Sequence, residues 1–223
     1  MPRDANKSKV LATFDISSMY TNIDNNLGQE AIKFWLEKYP ESKTRNIPND
    51  FILEALKIVL ENNTFNFDNK TFLQIRGTAM GTKCAPVYAT LVMAFLEIKL
   101  YNKFQECYGL EARNKFQSEW MRYLDDCFIY WDTKMGPITE LHNILNNLHE
   151  KMKFTVETNY GKMDFLDIQM TVKNDKFITD ICFKPTDTHN YVPFKSAHLR
   201  HTLINIPYNL ARRLCTIIDK KQL

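Results

Sequence analysis

The sequence predicts an α+β fold in which helices pack on one face of a small antiparallel sheet. Two observations predict it. Apolar residues recur at three- and four-residue spacing in five segments, which is the helical period, whereas shorter runs rich in β-branched and aromatic residues lie between them. Several of these runs come in pairs joined by a few polar residues, the pattern of hairpins rather than crossovers.

The first element is a β-prone run over 9–14 that ends in Asp15, followed by the small polar residues Ser17 and Ser18. Helices follow over 27–38 and 50–61. Residues 64–67 and 71–75 make a hairpin around Asp68-Asn69-Lys70. A loop containing Gly77, Gly81 and Pro86 then enters a strongly apolar helix over 87–97. Pro86 suits a first helical turn, and glycines four apart permit close backbone approach to a flat or anionic ligand. Trp120-Met121 and 127–131 form a second hairpin whose tip is Tyr123-Leu124-Asp125-Asp126. Pro137 opens an amphipathic helix to Met152, and 163–172 with 177–183 form a third hairpin through 173–176. The last helix covers 205–218.

Adjacent carboxylates at a hairpin tip repel each other and add nothing to a core. They suit a hard dication, because magnesium takes oxygen donors and bridges one or two carboxylates to substrate phosphates. A solvated Asp-Asp turn is the plainer alternative. Asp15, delivered to a sheet edge by its strand, supplies a third carboxylate, or else caps the next segment. Two metals set to clamp an in-line phosphoryl displacement need such a shared set.

Composition is compatible with this chemistry. The 223-residue chain is 44% hydrophobic and 13% aromatic, enough for a buried core, with a net charge of only +3. Charge distribution is more telling. From Lys184 to the end there are seven Lys or Arg against two Asp, so the rest of the chain is net acidic. A basic end beside a carboxylate-lined centre suits a phosphate backbone held outside a metal site, although a solvated helix face would read the same. Five cysteines without paired spacing are expected to be free thiols in a reducing intracellular compartment, nuclear or cytoplasmic. No apolar run approaches the roughly 20 residues that span a bilayer, and residues 1–5 carry no secretory signal. His189, His198 and His201 with Cys182 and Cys215 fit no closed zinc pattern.

The ordered set Asp15 to Tyr20, Gly81 to Pro86 and Tyr123 to Asp126 resembles motifs A, B and C of reverse transcriptases, the palm-domain polymerases that copy RNA into DNA. The wording around Phe14 to Ile23, Gly77 to Gly81, Phe165 to Ile168 and Phe183 to Thr186 is most similar to Penelope-like retroelements. The resemblance covers about residues 9 to 215. It implies a polymerase palm over 1–185 with motifs A to E, then a connection and the start of a helical thumb over 186–223.

Carried over by residue, the resemblance makes Asp15, Asp125 and Asp126 catalytic. With the Ile16 carbonyl, these would hold two Mg²⁺ ions, or Mn²⁺. Ile16, Met19, Tyr20, Met80 and Gly81 would border the nucleotide, with Tyr20 excluding a 2′-hydroxyl. Met80 departs from the Gln that many reverse transcriptases carry before this glycine. Phe165 and Leu166 match the hairpin that grips the primer, and Lys153 or Lys162 falls where motif D places a lysine. The implied partners are an RNA template, a DNA primer and a deoxynucleoside triphosphate, with no membrane. Because fourteen residues precede Asp15, the fingers are expected to be missing, and so, by the resemblance, is the downstream endonuclease of a longer polyprotein, leaving the isolated chain inactive or weak. The competing expectation is a non-catalytic nucleic-acid-binding or interaction module that keeps the palm fold.

Overall fold

A computed structural model describes residues 8–42, 46–173 and 176–218. In chain order, β1 (Lys9–Ile16) leads to α1 (Met19–Asn22), α2 (Asn25–Lys38), α3 (Asn49–Glu61), β2 (Thr64–Phe67), β3 (Lys70–Leu73) and α4 (Ala85–Glu119). Next come β4 (Met121–Tyr123), β5 (Asp126–Asp132), α5 (Ile138–Asn146), β6 (Phe154–Asn159), β7 (Lys162–Phe165), β8 (Ile168–Lys173), β9 (Lys176–Ile181) and α6 (Arg200–Ile217). The strands form a four-stranded sheet ordered β4-β5-β1-β6, the β2-β3 hairpin, and a meander β7-β8-β9. The α+β class read from the periodicity is the class observed.

One of the two inner strands of the larger sheet is β1, and its burial says why. Val10, Leu11 and Ala12 are buried in succession, as a strand covered on both faces requires; then Phe14 and Ile16 stay buried while Asp15 between them is exposed. The Thr133 N–H donates to the Ser8 carbonyl at 2.7 Å, and the Ser17 N–H donates to the Lys153 carbonyl at 2.9 Å. Each bond joins a residue past the end of one strand to a residue before the start of its neighbour. Both neighbours therefore run antiparallel to β1, which brings its Asp15 end beside the beginnings of β5 and β6.

The chain divides into two compact units. One comprises Phe14–Ile129 and Lys134–Val156; the other comprises Tyr130–Thr133, the chain from Glu157 on, and the segment before Phe14. In the first, α2 packs against α3 and α4. Trp35 Nε1 donates to the Leu91 carbonyl at 2.9 Å, and Phe34 meets Phe95 at 5.1 Å between ring centroids. The buried face of α4 follows the helical period through Tyr88, Ala89, Val92, Met93, Leu96 and Leu100. In the second unit, α6 lies on β9, with the Thr179 hydroxyl donating to the Ile217 carbonyl.

Several elements differ from the periodicity reading. Strand β6 was not expected, yet Phe154-Thr155-Val156-Glu157 alternates inward and outward as an edge strand should. Helix α5 stops at Asn146 rather than Met152, capped by Asn147, whose N–H bonds three preceding carbonyls. The single strand expected over 163–172 is two strands, because the chain reverses at Leu166-Asp167. Helix α4 runs far past residue 97, broken at Gly109 (φ 85°), and α6 starts five residues early with Pro207 inside it. All five cysteines are free. No described helix is long and apolar enough to cross a membrane.

Where α2 crosses α4, Gly28 faces the Tyr88 ring. A Cβ built on Gly28 would lie 1.5 Å from the Tyr88 hydroxyl oxygen, so the crossing depends on the missing side chain. That hydroxyl is buried without a hydrogen-bond partner, and burial pushes its pKa up. Gly28→Ala is expected to lower stability by about 1–3 kcal/mol despite alanine's better helix propensity. Tyr88→Phe, which removes an unsatisfied hydroxyl, is expected to be neutral or stabilising. Urea denaturation of both variants checks this.

Candidate active site

The tip of the β4-β5 hairpin is a two-residue turn. Tyr123 pairs with Asp126, leaving Leu124 and Asp125 as the turn residues. Leu124 has φ 53°, a left-handed conformation that costs a branched side chain roughly 1–2 kcal/mol. The surrounding side chains hold it there. Arg122, on β4, donates through Nη1 to the Leu124 carbonyl at 3.0 Å. The same guanidinium forks onto Glu97 of α4, Nε to Oε1 at 2.8 Å and Nη2 to Oε2 at 3.2 Å. Trp120 Nε1 adds a third donor to Glu97 Oε1 at 2.9 Å. The pair is largely buried, with side-chain exposures of 11% for Arg122 and 17% for Glu97.

Asp15 stands on the open face at the end of β1, between buried Phe14 and Ile16. Its carbonyl accepts from the Thr155 hydroxyl of β6 at 3.4 Å. Beside that end, half-buried Asp125 closes the turn and half-buried Asp126 opens β5. Among the described residues, the carboxylates of Asp15 and Asp125 have no hydrogen-bonding or ion-pair partner. Cys127, next to Asp126, is buried; burial first, then the nearby Glu97 carboxylate, push its thiol pKa up, so it packs rather than reacts.

After β1 the chain turns sharply through Ser18 (φ 51°) into α1, with Asn22 Nδ2 donating to the Ser17 carbonyl at 2.8 Å. This places Tyr20 half-buried and Met19 at only 3% exposure. The Met19 and Ile16 side chains therefore belong to the core, and only their backbone is available to a ligand. The glycine loop is stitched to α1. The Thr78 N–H donates to the Tyr20 carbonyl at 2.7 Å, and a Cβ on Gly77 (φ 73°) would lie 2.6 Å from the Thr21 Cα. Gly81 differs, since a Cβ there would meet nothing within 4 Å, and neighbouring Met80 is 70% exposed.

Lys153 and Lys162 separate clearly. Lys153 Nζ donates to the Asn146 carbonyl at 2.8 Å and to the His149 carbonyl at 3.5 Å, satisfying the end of α5. Lys162 opens β7 in the other unit. A lysine the motifs did not single out, Lys151, pairs with Asp24 at 3.3 Å and lines a cavity of about 450 Å³ with Arg76, Gly77 and Thr21. In the second unit, Phe165 pairs with Ile168 and closes a turn in which Leu166 has φ 54° and is 41% exposed. The turn is held from α6, as Arg213 pairs with Asp167 at 3.0 Å.

The sequence motifs named the carboxylates and the glycine loop but missed Glu97 and Arg122. A signal existed for Glu97, a lone charge closing a long apolar helical run, and for Arg122, a cation between aromatic residues just before the paired aspartates. Among the described residues, no three His, Cys, Asp or Glu side chains gather closely enough to hold a metal ion. The donor chemistry nevertheless fits a hard divalent cation, with carboxylate oxygens at neighbouring strand ends and open to solvent.

Residues 2–173 match the family model for reverse transcriptase (RNA-dependent DNA polymerase). The chain belongs to the reverse transcriptase family. Domains of this family copy a nucleic-acid template from a primer by nucleotidyl transfer and generally use divalent metals. Solved structures with the same fold include apo telomerase from Candida tropicalis lacking its C-terminal domain (TM-score 0.57, 15% identity, 77% of this chain and 35% of that one). Apo telomerase from the same organism matches with TM-score 0.54 and 14% identity over 76% of this chain and 31% of that one. Telomerase from Candida albicans, in complex with a fragment of telomeric RNA, matches with TM-score 0.55 and 12% identity over 77% and 31%. The chain thus spans about a third of these telomerases. No curated protein sequence matches it.

The two loop glycines of this reverse transcriptase domain should behave differently. Gly77→Ala meets backbone atoms at a positive φ and is expected to cost more than about 2 kcal/mol. Gly81→Ala, in open space, should stay within about 1 kcal/mol of wild type. Thermal and urea unfolding distinguish them.

Proposed function

We propose that the chain is the palm of an RNA-directed DNA polymerase, nearest in its motif wording to Penelope-like retroelements, in which Asp15 and Asp125 hold catalytic Mg²⁺ with Asp126 beside them. The single observation that supports this reading is strand order, which puts the exposed Asp15 at the end of β1 and the Asp125-Asp126 turn at the start of the neighbouring antiparallel strand β5.

The ions, two in this reading and replaceable by Mn²⁺, would activate the primer 3′-oxygen for in-line attack on the α-phosphorus of a deoxynucleoside triphosphate, releasing pyrophosphate. The protein's part is placement. Asp15 and Asp125 would supply hard oxygen donors, with the Ile16 carbonyl as a backbone donor. Tyr20, half-buried on α1, is assigned as the sugar gate, and exposed Met80 and Gly81 would offer backbone to the base pair. Phe165 and Leu166 are assigned to the primer and the Arg-rich α6 to phosphate. An RNA template and DNA primer are the substrates.

A second reading, a non-catalytic nucleic-acid-binding module, is favoured by one observation: no three ligand-type side chains converge among the described residues. Extension of a DNA primer on an RNA template, with protein in excess over primer, separates the two. The polymerase reading expects divalent-dependent extension that Asp125→Asn lowers by roughly 10²-fold or more, the scale lost with one essential electrostatic group. The binding-module reading expects salt-sensitive hybrid binding, no extension, and no effect of Asp125→Asn. Where extension occurs, Tyr20→Val should raise ribonucleotide relative to deoxyribonucleotide incorporation. An unchanged ratio with lower overall activity would make Tyr20 a packing residue.

A further inference from the structure

We propose that Glu97 and Arg122 are positioning residues for the aspartate turn: Glu97 aims the guanidinium, and the guanidinium holds the Leu124 carbonyl so that Asp125 is presented beside Asp15. The inference rests on the metal-site reading above for its consequence, although the clamp itself is a matter of geometry.

The arrangement is more specific than an ordinary ion pair. Glu97 lies on α4, the helix against which the sheet end packs, and its two oxygens receive three N–H groups, two from Arg122 and one from Trp120. With both Glu97 oxygens occupied, the guanidinium is fixed in plane and position. Its remaining Nη1 then points at one backbone acceptor, the Leu124 carbonyl at 3.0 Å. That carbonyl belongs to the residue with φ 53°, whose peptide unit leads directly into Asp125. A rotation there would redirect the Asp125 carboxylate relative to the strand end that carries Asp15. Arginine is required because one planar group must meet Glu97 and Leu124 together. A lysine ammonium keeps the charge but cannot present the same fixed fork.

The test uses the whole 223-residue chain and Mn²⁺ alone as probe, read by the EPR signal of free Mn²⁺ at a temperature where circular dichroism shows every variant fully folded. Arg122→Lys is expected to weaken Mn²⁺ binding about tenfold in the wild-type background and to have no further effect in Asp125→Asn. Glu97→Gln should weaken it less, because the amide oxygen still accepts one guanidinium N–H, and it serves if Arg122→Lys does not fold. The double exchange Glu97→Arg with Arg122→Glu restores opposite charges but leaves the Leu124 carbonyl without its donor. It should regain part of the melting temperature lost in either single exchange without regaining Mn²⁺ affinity. Wild-type affinity in folded Arg122→Lys and Glu97→Gln, or recovery of affinity by the double exchange, would overturn the proposal.

Failure of the metal reading has a different signature. Mn²⁺ binding would then be insensitive to Asp125→Asn itself, and the clamp is judged on amide resonances. In that case Arg122→Lys should still shift the Leu124, Asp125 and Asp126 amide signals together with the Trp120 indole N–H. Shifts confined to Trp120 would show that Arg122 does not hold the turn.

Discussion

A buried carboxylate and a buried guanidinium are each costly, and the Glu97–Arg122 pair is tolerated because almost every polar atom in it is used. Three donors converge on Glu97, and the guanidinium is shared between that carboxylate and a backbone carbonyl. Removing one partner of such a pair costs roughly 3–5 kcal/mol, most of it the charge left behind. An apolar pair of similar size would hold helix and hairpin together at least as well. What an apolar pair lacks is direction. Only hydrogen bonds fix a turn whose first residue sits at positive φ, so the ion pair defines the geometry at the strand end more than it adds to stability.

The same constraint recurs on the other side of β1. The turn after Asp15 is sharp, with Ser18 at φ 51°, and Gly77 presses its backbone against Thr21 while Thr78 bonds the Tyr20 carbonyl. Motif A and the glycine loop, more than fifty residues apart in sequence, are thus joined backbone to backbone. Gly81, by contrast, is open. The division of labour between the two glycines is physical: Gly77 permits a close backbone contact inside the protein, and Gly81 leaves room outside it. Within the second unit, Leu166 and Asp167 repeat the pattern of a positive-φ leucine before an aspartate, tied there by Arg213.

Much of this was legible in the sequence, and what was not has identifiable causes. Hairpins announced themselves through turn residues, and helices through their period. Strand β6 was missed because Phe154 follows a helical pattern that fades over Asn146-Asn147, where two weak helix formers end α5 early. The split of β7 from β8 was missed because Leu166 carries no turn signal; a leucine at φ 54° is held by contacts that local sequence does not encode. At the site, paired aspartates and a strand-end aspartate stand out by chemistry alone. Glu97 and Arg122 stand out only as isolated charges, since their meeting depends on the hydrogen bonds between α4 and the hairpin. The Lys153 ammonium likewise reads as a motif lysine until the carbonyls of Asn146 and His149 are seen to occupy it.

The most direct measurement is anomalous diffraction from crystals of the protein grown with Mn²⁺. The expected result is an anomalous peak within about 2–2.5 Å of carboxylate oxygens from both Asp15 and Asp125, a range typical of hard oxygen-ligated dications. Peaks only at other surface carboxylates, or Asp15 and Asp125 turned to opposite faces of the sheet, would contradict the account.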